Sequence, residues 1–505
     1  MRQVCHGILS AFYSWLSTAA HGFFTSDTPM AQSTSHAGAD IHHNPYTGGI
    51  ARFVSGLQYE AVPDAVRTRI KLLILDSLGC ALYGADLPWT RILQQTLSGL
   101  EGGGMGQGGS SIWGTPLRLS APHAALVNGT QVQGFELDDV HRQGVMHVGA
   151  VVLPALLSVA EMRPGMNGRE FLASAVAGYE IGPRVGICMG QEHIAQGWHS
   201  GATLGVFSAA AGAARGLKLD AERTVHALGI AGTQSSGLMA AQYGAMVKRM
   251  HAGRASQSGL YGALLADQGF TGIVNVLESE YGGFCTTLSR SQDRFNLSEL
   301  TAGLGEVWQT MGIALKFYSC VGSNHTTLDA IRLMQEERHF GANDVKRIVV
   351  HGSQVTMDHV GWKYVPQGLT SAQLNLPYCV ATWLLDGDCF VDQFTEDKVA
   401  DPERMRIADK VEVEHDAEIT ALGSKSRHKV RVVCELNDGS RMERTVEAGR
   451  GNEKNFASQA DVVEKFEKLA VKSLPLERVT RIRDWVLGME NQTDAADLAR
   501  LLSSR

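Results

Sequence analysis

The stretch "SGATLGVFSAAAGAARG" at residues 200–216 constrains the fold of this chain most tightly. Glycine, alanine and serine recur at helical spacing among a few larger apolar residues. Such small residues let helix backbones approach closely, so the expectation is densely packed helices rather than loops. Composition points the same way. The chain has 56 Gly against 13 Pro in 505 residues, and much of its glycine and alanine falls inside apolar stretches. With 44% apolar and 19% charged residues it reads as globular, and its length suggests about two to four domains.

The apolar pattern divides the chain. "VPDAVRTRIKLLILDSLGCALYG" (62–84) sets Pro63 at a first helical turn and then repeats apolar residues at helical spacing. Helical patterns continue through 121–135, 150–162, 168–181, 199–216, 220–238 and 253–268, with almost no strand signal. After about residue 310 the character changes. "VKRIVVHGSQVT" (345–356) and "KVEVEHD" (410–416) alternate like strands, and "KVRVVCELNDGSRMERTVEA" (429–448) reads as a hairpin turning at "NDGS". "LPYCVATWLLDG" (376–387) is a short apolar helix, and amphipathic helices resume from 457. The fold class read from this is mainly α: a large all-helical domain (47–310), a smaller inserted α+β domain (311–455), and C-terminal helices (456–505) that rejoin the first. No internal repeat, strand-linked GxGxxG or GxxxxGK[ST] is present.

A net charge of −7 offers no basic stripe for phosphates, which argues against a nucleic-acid partner. The eight cysteines (5, 80, 188, 285, 320, 379, 389, 434) form no CxxC pair, so spacing suggests neither a zinc site nor a disulfide scaffold, and a reducing compartment fits. Residues 1–46 are expected to be a disordered or targeting segment. Positions 3–26 carry no Lys, Arg, Asp or Glu, and "ILSAFYSWLSTAA" could serve as a signal or presequence core; a true start at Met30 is the competing reading. No other run resembles a membrane span. The expected compartment is the cytoplasm, with the mitochondrion as alternative.

Five segments could carry chemistry. "ELDDVHRQGVMHVG" (136–149) packs Glu136, Asp138, Asp139, His141 and His147 just before an apolar helix. A metal site, an acid/base loop and a polar helix-capping turn are all open there, although histidines six apart across a glycine are poorly spaced for one helical face. Carboxylates beside a histidine would orient its ring and favour its charged form. In "QYGAMVKRMHAGRA" (242–255), Lys248, Arg249, His251 and Arg254 sit among small and apolar residues, where burial demands partners. Either core ion pairs or an anion site would satisfy them. A cation 4 Å from a carboxylate contributes roughly 4 kcal/mol at an effective dielectric near 20, before desolvation. His199 precedes the small-residue helix. Lys316 and His325 bracket a Cys/Gly/Ser-rich loop where helical character gives way to strands, and domain seams favour ligands. Tyr378 opens the 376–387 helix and could equally be a core tyrosine with a satisfied hydroxyl. Together these point to a cofactor-free site for a small anion, with proton transfer at its centre.

With these segments in view the chain resembles the MmgE/PrpD family from about residue 47 to 500. The resemblance is carried by "LILDSLGCALYGA" (73–85), "ELDDVH…HVGAVVLPALL", "GWHSGATLG", "SGLMAAQYGAMVKRMHAGRASQSGLYGALLADQGFTG" (236–272), "YGGF" (281–284), "KFYSCVGSNHTTLDAI" and "LPYCVATWLLDG". It implies a helical domain with an inserted lid, a homodimer, and a site between domains that uses no metal. By motif position, family site residues fall on Glu136, His147, His199, Lys248, Lys316 and Tyr378, with Asp139, His141 and His325 as near neighbours. The implied roles follow. His147 moves the carbon-bound proton, and Glu136 and Asp139 orient groups around it. Lys248 and Lys316 hold substrate carboxylates, aided by His141 and His325. His199 helps neutralise developing charge, and Tyr378 positions a carboxylate or leaving group. Relatives often carry proline or serine after the histidine; Val148 here loosens that backbone constraint. The family implies a cis-aconitate decarboxylase first, a 2-methylcitrate-type hydro-lyase second, and an iminodisuccinate-type epimerase third. A non-catalytic carboxylate-binding scaffold is the contrasting class.

Overall fold

In the computed structural model, residues 44–102, 109–190 and 192–503 are described. The expected N-terminal segment, with its targeting and late-start readings, lies outside them up to residue 43. The first helices are α1 (Thr47–Gly56), α2 (Asp64–Gly84), α3 (Pro88–Leu100) and α4 (Ala121–Val132). Next come α5 (Gly149–Met162), α6 (Gly168–Met189), α7 (Gly205–Gly216), α8 (Ala221–Gly232) and α9 (Val247–Asp267). Helix accounts for 58% of the described residues, so the class is mainly α.

Small residues make this packing possible. A Cβ on Gly129 of α4 would lie 2.6 Å from the Gly253 Cα of α9, and one on Gly259 would lie 2.5 Å from the Ala209 Cβ of α7. These backbones therefore touch, and α9 is sheathed by α4, α5, α7 and α8. The 199–216 pattern, expected as one helix, divides at Leu204 into a short turn at Ser200–Thr203 and α7. Caps set several starts. Asn167 and Glu170 form a capping box on α6, and the Asp220 carboxylate accepts from Arg223 N at the start of α8.

The second half contains α10 (Gly322–Glu337), β1 (Val345–Gly352), α11 (Leu376–Asp386), β2 (Val411–His415), β3 (Val430–Leu436) and β4 (Arg441–Val446). Sheet order is β2-β1-β3-β4; β1 and β2 are parallel, the other pairs antiparallel. Gly439 takes a φ of 85° in the hairpin turn, where Leu436 N donates to Ser440 O at 2.9 Å. Helix α10 packs on β3 and β4. Its start was not expected, because the stretch bracketed by Lys316 and His325 reads as a loop; the helix begins at Gly322 and includes His325.

Finally α12 (Gln459–Ala470), α13 (Leu476–Leu487) and α14 (Ala496–Leu502) follow. Helix α12 lies along α2, with Phe466 against Gly79 and a buried ion pair between Lys465 and Asp76 at 2.5 Å. No helix among the described residues is long and apolar enough to cross a membrane.

Candidate active site

Beyond α4 the chain turns sharply, and Glu136 adopts a φ of 55°. The left-handed region is unfavourable for such a residue and is held only where surroundings over-determine it. Here three cations do so. Lys248 Nζ and Arg249 Nη1 both bond Glu136 Oε1, the latter at 2.5 Å, and Lys316 Nζ lies 3.4 Å from Oε2. All four residues are buried. Burial alone would push the Glu136 carboxyl up. Lys248, Lys316, Arg249 and His147 override it and hold the group well below the usual carboxylate range. Burial in turn lowers Lys248, opposed by Glu136.

Local structure explains the convergence. Lys248 and Arg249 occupy the first turn of α9. Lys316 follows a two-residue strand, Ile313–Ala314, paired antiparallel with Val140–His141. That pairing ties the carboxylate-rich loop to the lysine segment. Arg249 also donates to Gln373 Oε1 at 3.2 Å and stands over Trp89, 5.7 Å from the ring centroid.

His147 leaves a tight turn. His141 and Met146 exchange backbone hydrogen bonds, and Val145 between them has a φ of 48°. The His147 Nδ1–H donates to Asp139 O at 2.9 Å, while Asp138 Oδ2 lies 3.0 Å from the same nitrogen, off the hydrogen-bond direction. Burial raises the Asp138 carboxyl, but His147 outweighs it and the group stays below its ordinary value. Nδ1 is thus committed as donor, and Nε2 has no protein partner among the described residues. The Asp139 side chain faces elsewhere. It accepts from Val148 N and Gly149 N at 3.0 Å each, capping α5. Proline at 148 could not donate this bond. Burial and neighbouring Asp138 push Asp139 up to about 7.

His199 Nδ1 sits 3.1 Å from His251 Nδ1, so one ring donates and the other accepts. Burial, then Lys248, His251 and His147, hold His199 well below its ordinary value, and His251 is lowered by burial and Lys248. The structure therefore gathers Glu136, Lys248, Lys316, His147 and His199 into one electrostatic group. It adds Arg249, Asp138 and His251, which sequence reading noticed only as parts of charged runs. Exposed Arg254 bonds Gln257 on its own helix and stays outside.

Two residues expected at the site are bonded away from the Glu136 group, and a third, His325, lines a neighbouring cleft. His141 Nδ1 accepts from Gly144 N at 2.9 Å and Nε2 donates to Gln309 Oε1 at 3.2 Å, while burial lowers its pKa to about 4. It is a neutral turn-forming ring. The Tyr378 hydroxyl donates to Lys398 O at 3.1 Å and its ring packs on Tyr364, with centroids 4.6 Å apart; neither partner touches Glu136. His325 bonds Cys320 O at 3.3 Å and faces a cleft.

That cleft is lined by Arg142, Lys316, His325, His428, Arg450 and Asn452 among others, and no carboxylate belongs to its wall. Arg142 Nη2 lies 3.0 Å from His428 Nδ1 and Arg427 Nε 3.2 Å from Nε2. A neutral imidazole accepts at one nitrogen only, so one guanidinium N–H there meets another N–H. Such a donor-rich wall suits an anion. Lys316 belongs both to this wall and to the Glu136 group.

Residues 48–296 match the profile described as the MmgE/PrpD N-terminal domain, and 318–491 match the MmgE/PrpD C-terminal domain. The chain is 34% identical over 474 residues to the cis-aconitate decarboxylase-like protein oryM of Aspergillus oryzae, covering 90% of this chain and 97% of that one. It is 33% identical over 475 residues to the cis-aconitate decarboxylase of Aspergillus terreus, covering 90% and 96%. With the cis-aconitate decarboxylase of Homo sapiens it shares 26% over 468 residues, covering 90% and 94%. The chain belongs to the MmgE/PrpD family.

Proposed function

We propose that this protein is a cofactor-free lyase of small polycarboxylates, and that its reaction is decarboxylation of cis-aconitate or a close analogue to an itaconate-type product. The observation that carries this reading is the charge imbalance at Glu136. Three buried cations converge on one carboxylate, and the adjoining cleft wall presents Arg142 and Arg450, each paired behind the wall with a single acid, Glu453 at 3.5 Å and Asp461 at 2.5 Å. A buried surplus of positive charge is stable only with anions present, and carboxylate groups of substrate would supply them. The names and coverage of the Aspergillus relatives support the same substrate.

The chemistry follows from placement. One substrate carboxylate docks on Lys316, whose contact to Glu136 is the longest of the three, and a second on Arg142 or Arg450. When the C–C bond to the departing carboxylate breaks, CO2 leaves and the electron pair stays on the substrate, spread into the conjugated carboxylate. Lys316 and Lys248 stabilise that charge. His147 then gives its Nε2 proton to carbon, with Nδ1–H anchored on Asp139 O and the Asp138 carboxylate steadying the imidazolium. His199, held neutral, donates a hydrogen bond without adding a competing charge. Glu136 holds the lysines in place.

Glu136, His147 and Lys248 are not part of the cleft wall, so substrate must pass Lys316 to reach them. We assign the sheet-bearing segment, within 311–455, to a lid that opens for this passage. The helical body is then 47–310 with 456–505. Buried free thiols, seven among the described residues, favour the cytoplasm as compartment.

Incubation with cis-aconitate in D2O, followed by NMR, tests the reading. The expected result is an itaconate-type product with one deuterium on the carbon that His147 protonates. Unchanged cis-aconitate, with turnover of 2-methylcitrate or deuterium exchange into iminodisuccinate instead, would transfer the assignment to a hydro-lyase or epimerase.

A further inference from the structure

Three thiols that no sequence motif links meet beside the lysine segment. Cys320 lies four residues beyond Lys316, Cys379 is in the first turn of α11, and Cys389 follows that helix. Their Sγ atoms all lie within 4.8 Å of one another, and each residue is 0% exposed. As plain core packing this is a weak arrangement, because aliphatic side chains would fill the space equally well. A second, independent feature accompanies it. The Asn324 amide is fully buried with Nδ2 3.3 Å from Cys379 Sγ, and its Oδ1 has no hydrogen-bond partner among the described residues. An orphaned buried carbonyl oxygen costs about 1–3 kcal/mol unless something electropositive faces it.

We propose that Cys320, Cys379 and Cys389 bind a thiophilic divalent cation of the zinc class, with the Asn324 Oδ1 available at the fourth position. Zinc–sulfur bonds of about 2.3 Å in tetrahedral geometry set sulfurs about 3.8 Å apart, so the thiols need to close in by about 1 Å or less. Binding converts three thiols and one divalent cation into a tris-thiolate complex with release of three protons, and no oxidant is required. The ligands come from the Lys316 loop, from α11 and from the connection after it. The ion would therefore cross-link the loop that presents Lys316 to the helix beneath it. Sequence spacing gave no hint of this, since the intervals of 59 and 10 residues fit no short ligand motif.

The test is metal content of the full-length protein, purified under reducing conditions without chelator, and it is independent of any lyase activity. Elemental analysis and native mass spectrometry should find about one zinc per chain. Cadmium exchange should give a thiolate-to-metal charge-transfer band in the ultraviolet. Cys379→Ser and Cys389→Ser should lose both signals, whereas Cys434→Ala, at a buried thiol outside the trio, should keep them. Circular dichroism checks that the serine variants fold. If they do not, the unaltered protein still decides the matter. A metal-free mass and no cadmium band would overturn the proposal, and so would a mass lower by two hydrogen atoms, which marks a disulfide.

Discussion

At the residue scale, His147 and Asp139 share a loop and do opposite jobs. His147 is partly accessible and bonded through one ring nitrogen, so His147→Ala removes little packing. Its loss should lower kcat by about 10²–10⁴ with a near-unchanged thermal midpoint, because a general acid of this kind contributes that much to rate. Steady-state kinetics beside calorimetry checks both halves. Asp139 bears on stability instead. In the fold it keeps its proton up to about 7, raised by burial, Asp138 and Asp76, whereas the unfolded chain releases it near 3.9. The native state therefore binds the extra proton between those values and loses stability as pH rises through them, by up to about 4 kcal/mol. His141, lowered to about 4 against an unfolded value of about 6.5, acts in the opposite sense and gains stability as pH rises. Asp139→Asn keeps the oxygen that caps α5 and removes only the titration. Its stability relative to the parent should grow with pH from about 4 to about 7 and then level off. A pH-independent difference in denaturation midpoint would rule this out. The reason that the Tyr378 hydroxyl lies apart from the Glu136 group also belongs at this scale. Its motif position is that of the family, but its hydroxyl orientation is set by Lys398 O and the Tyr364 ring, contacts remote in sequence.

At the element scale, α12 reaches back to the site. Lys465 Nζ bonds Asp76 on α2 and also Leu137 O at 2.8 Å, between Glu136 and Asp138. The return helix thus pins the backbone of the carboxylate loop. Lys465→Met should cost about 3–5 kcal/mol, because Asp76 is left as an unpaired buried charge. Adding Asp76→Asn should recover much of that stability. It should not recover kcat, since Leu137 O still lacks its donor; coordinated recovery of both would refute the pinning role. Elements whose pattern is local were legible: α5, α6, α11 and the β3–β4 hairpin lie where apolar spacing and turn residues put them. Those whose support is distant were not. Helix α9 starts at Val247, six residues before the expected 253, with Lys248 and Arg249 in a first turn where cations oppose the helix dipole. Glu136 and Gln373, both distant in sequence, make that start tolerable. Helix α10 was hidden because Asn324, His325, Thr326 and Thr327 are weak helix formers, and packing on β3, β4 and α11 overrides that preference.

At the scale of the whole molecule, the outer face of α9 raises the question of assembly. Tyr261 and Leu265 lie one turn apart and are each 38% exposed, and Phe270, 60% exposed, is held beside them by its N–H bond to Leu265 O at 3.0 Å. Large apolar side chains contiguous on a helix face mark an interface more often than a free surface. The same helix carries Lys248 and Arg249 at its other end, so covering this face would stiffen the element that holds Glu136. We propose a homodimer formed through it. Leu265→Glu combined with Phe270→Glu places charge at the centre of the contact and leaves buried residues untouched. Light scattering after size exclusion should give the parent protein twice the chain mass and the double variant a single chain mass. The variant should also show a lower thermal midpoint at equal chain concentration, with the difference widening as concentration rises, because only the parent gains stability by association. A parent protein that remains a single chain at all concentrations, or a double variant that still pairs, would place the interface elsewhere or remove it.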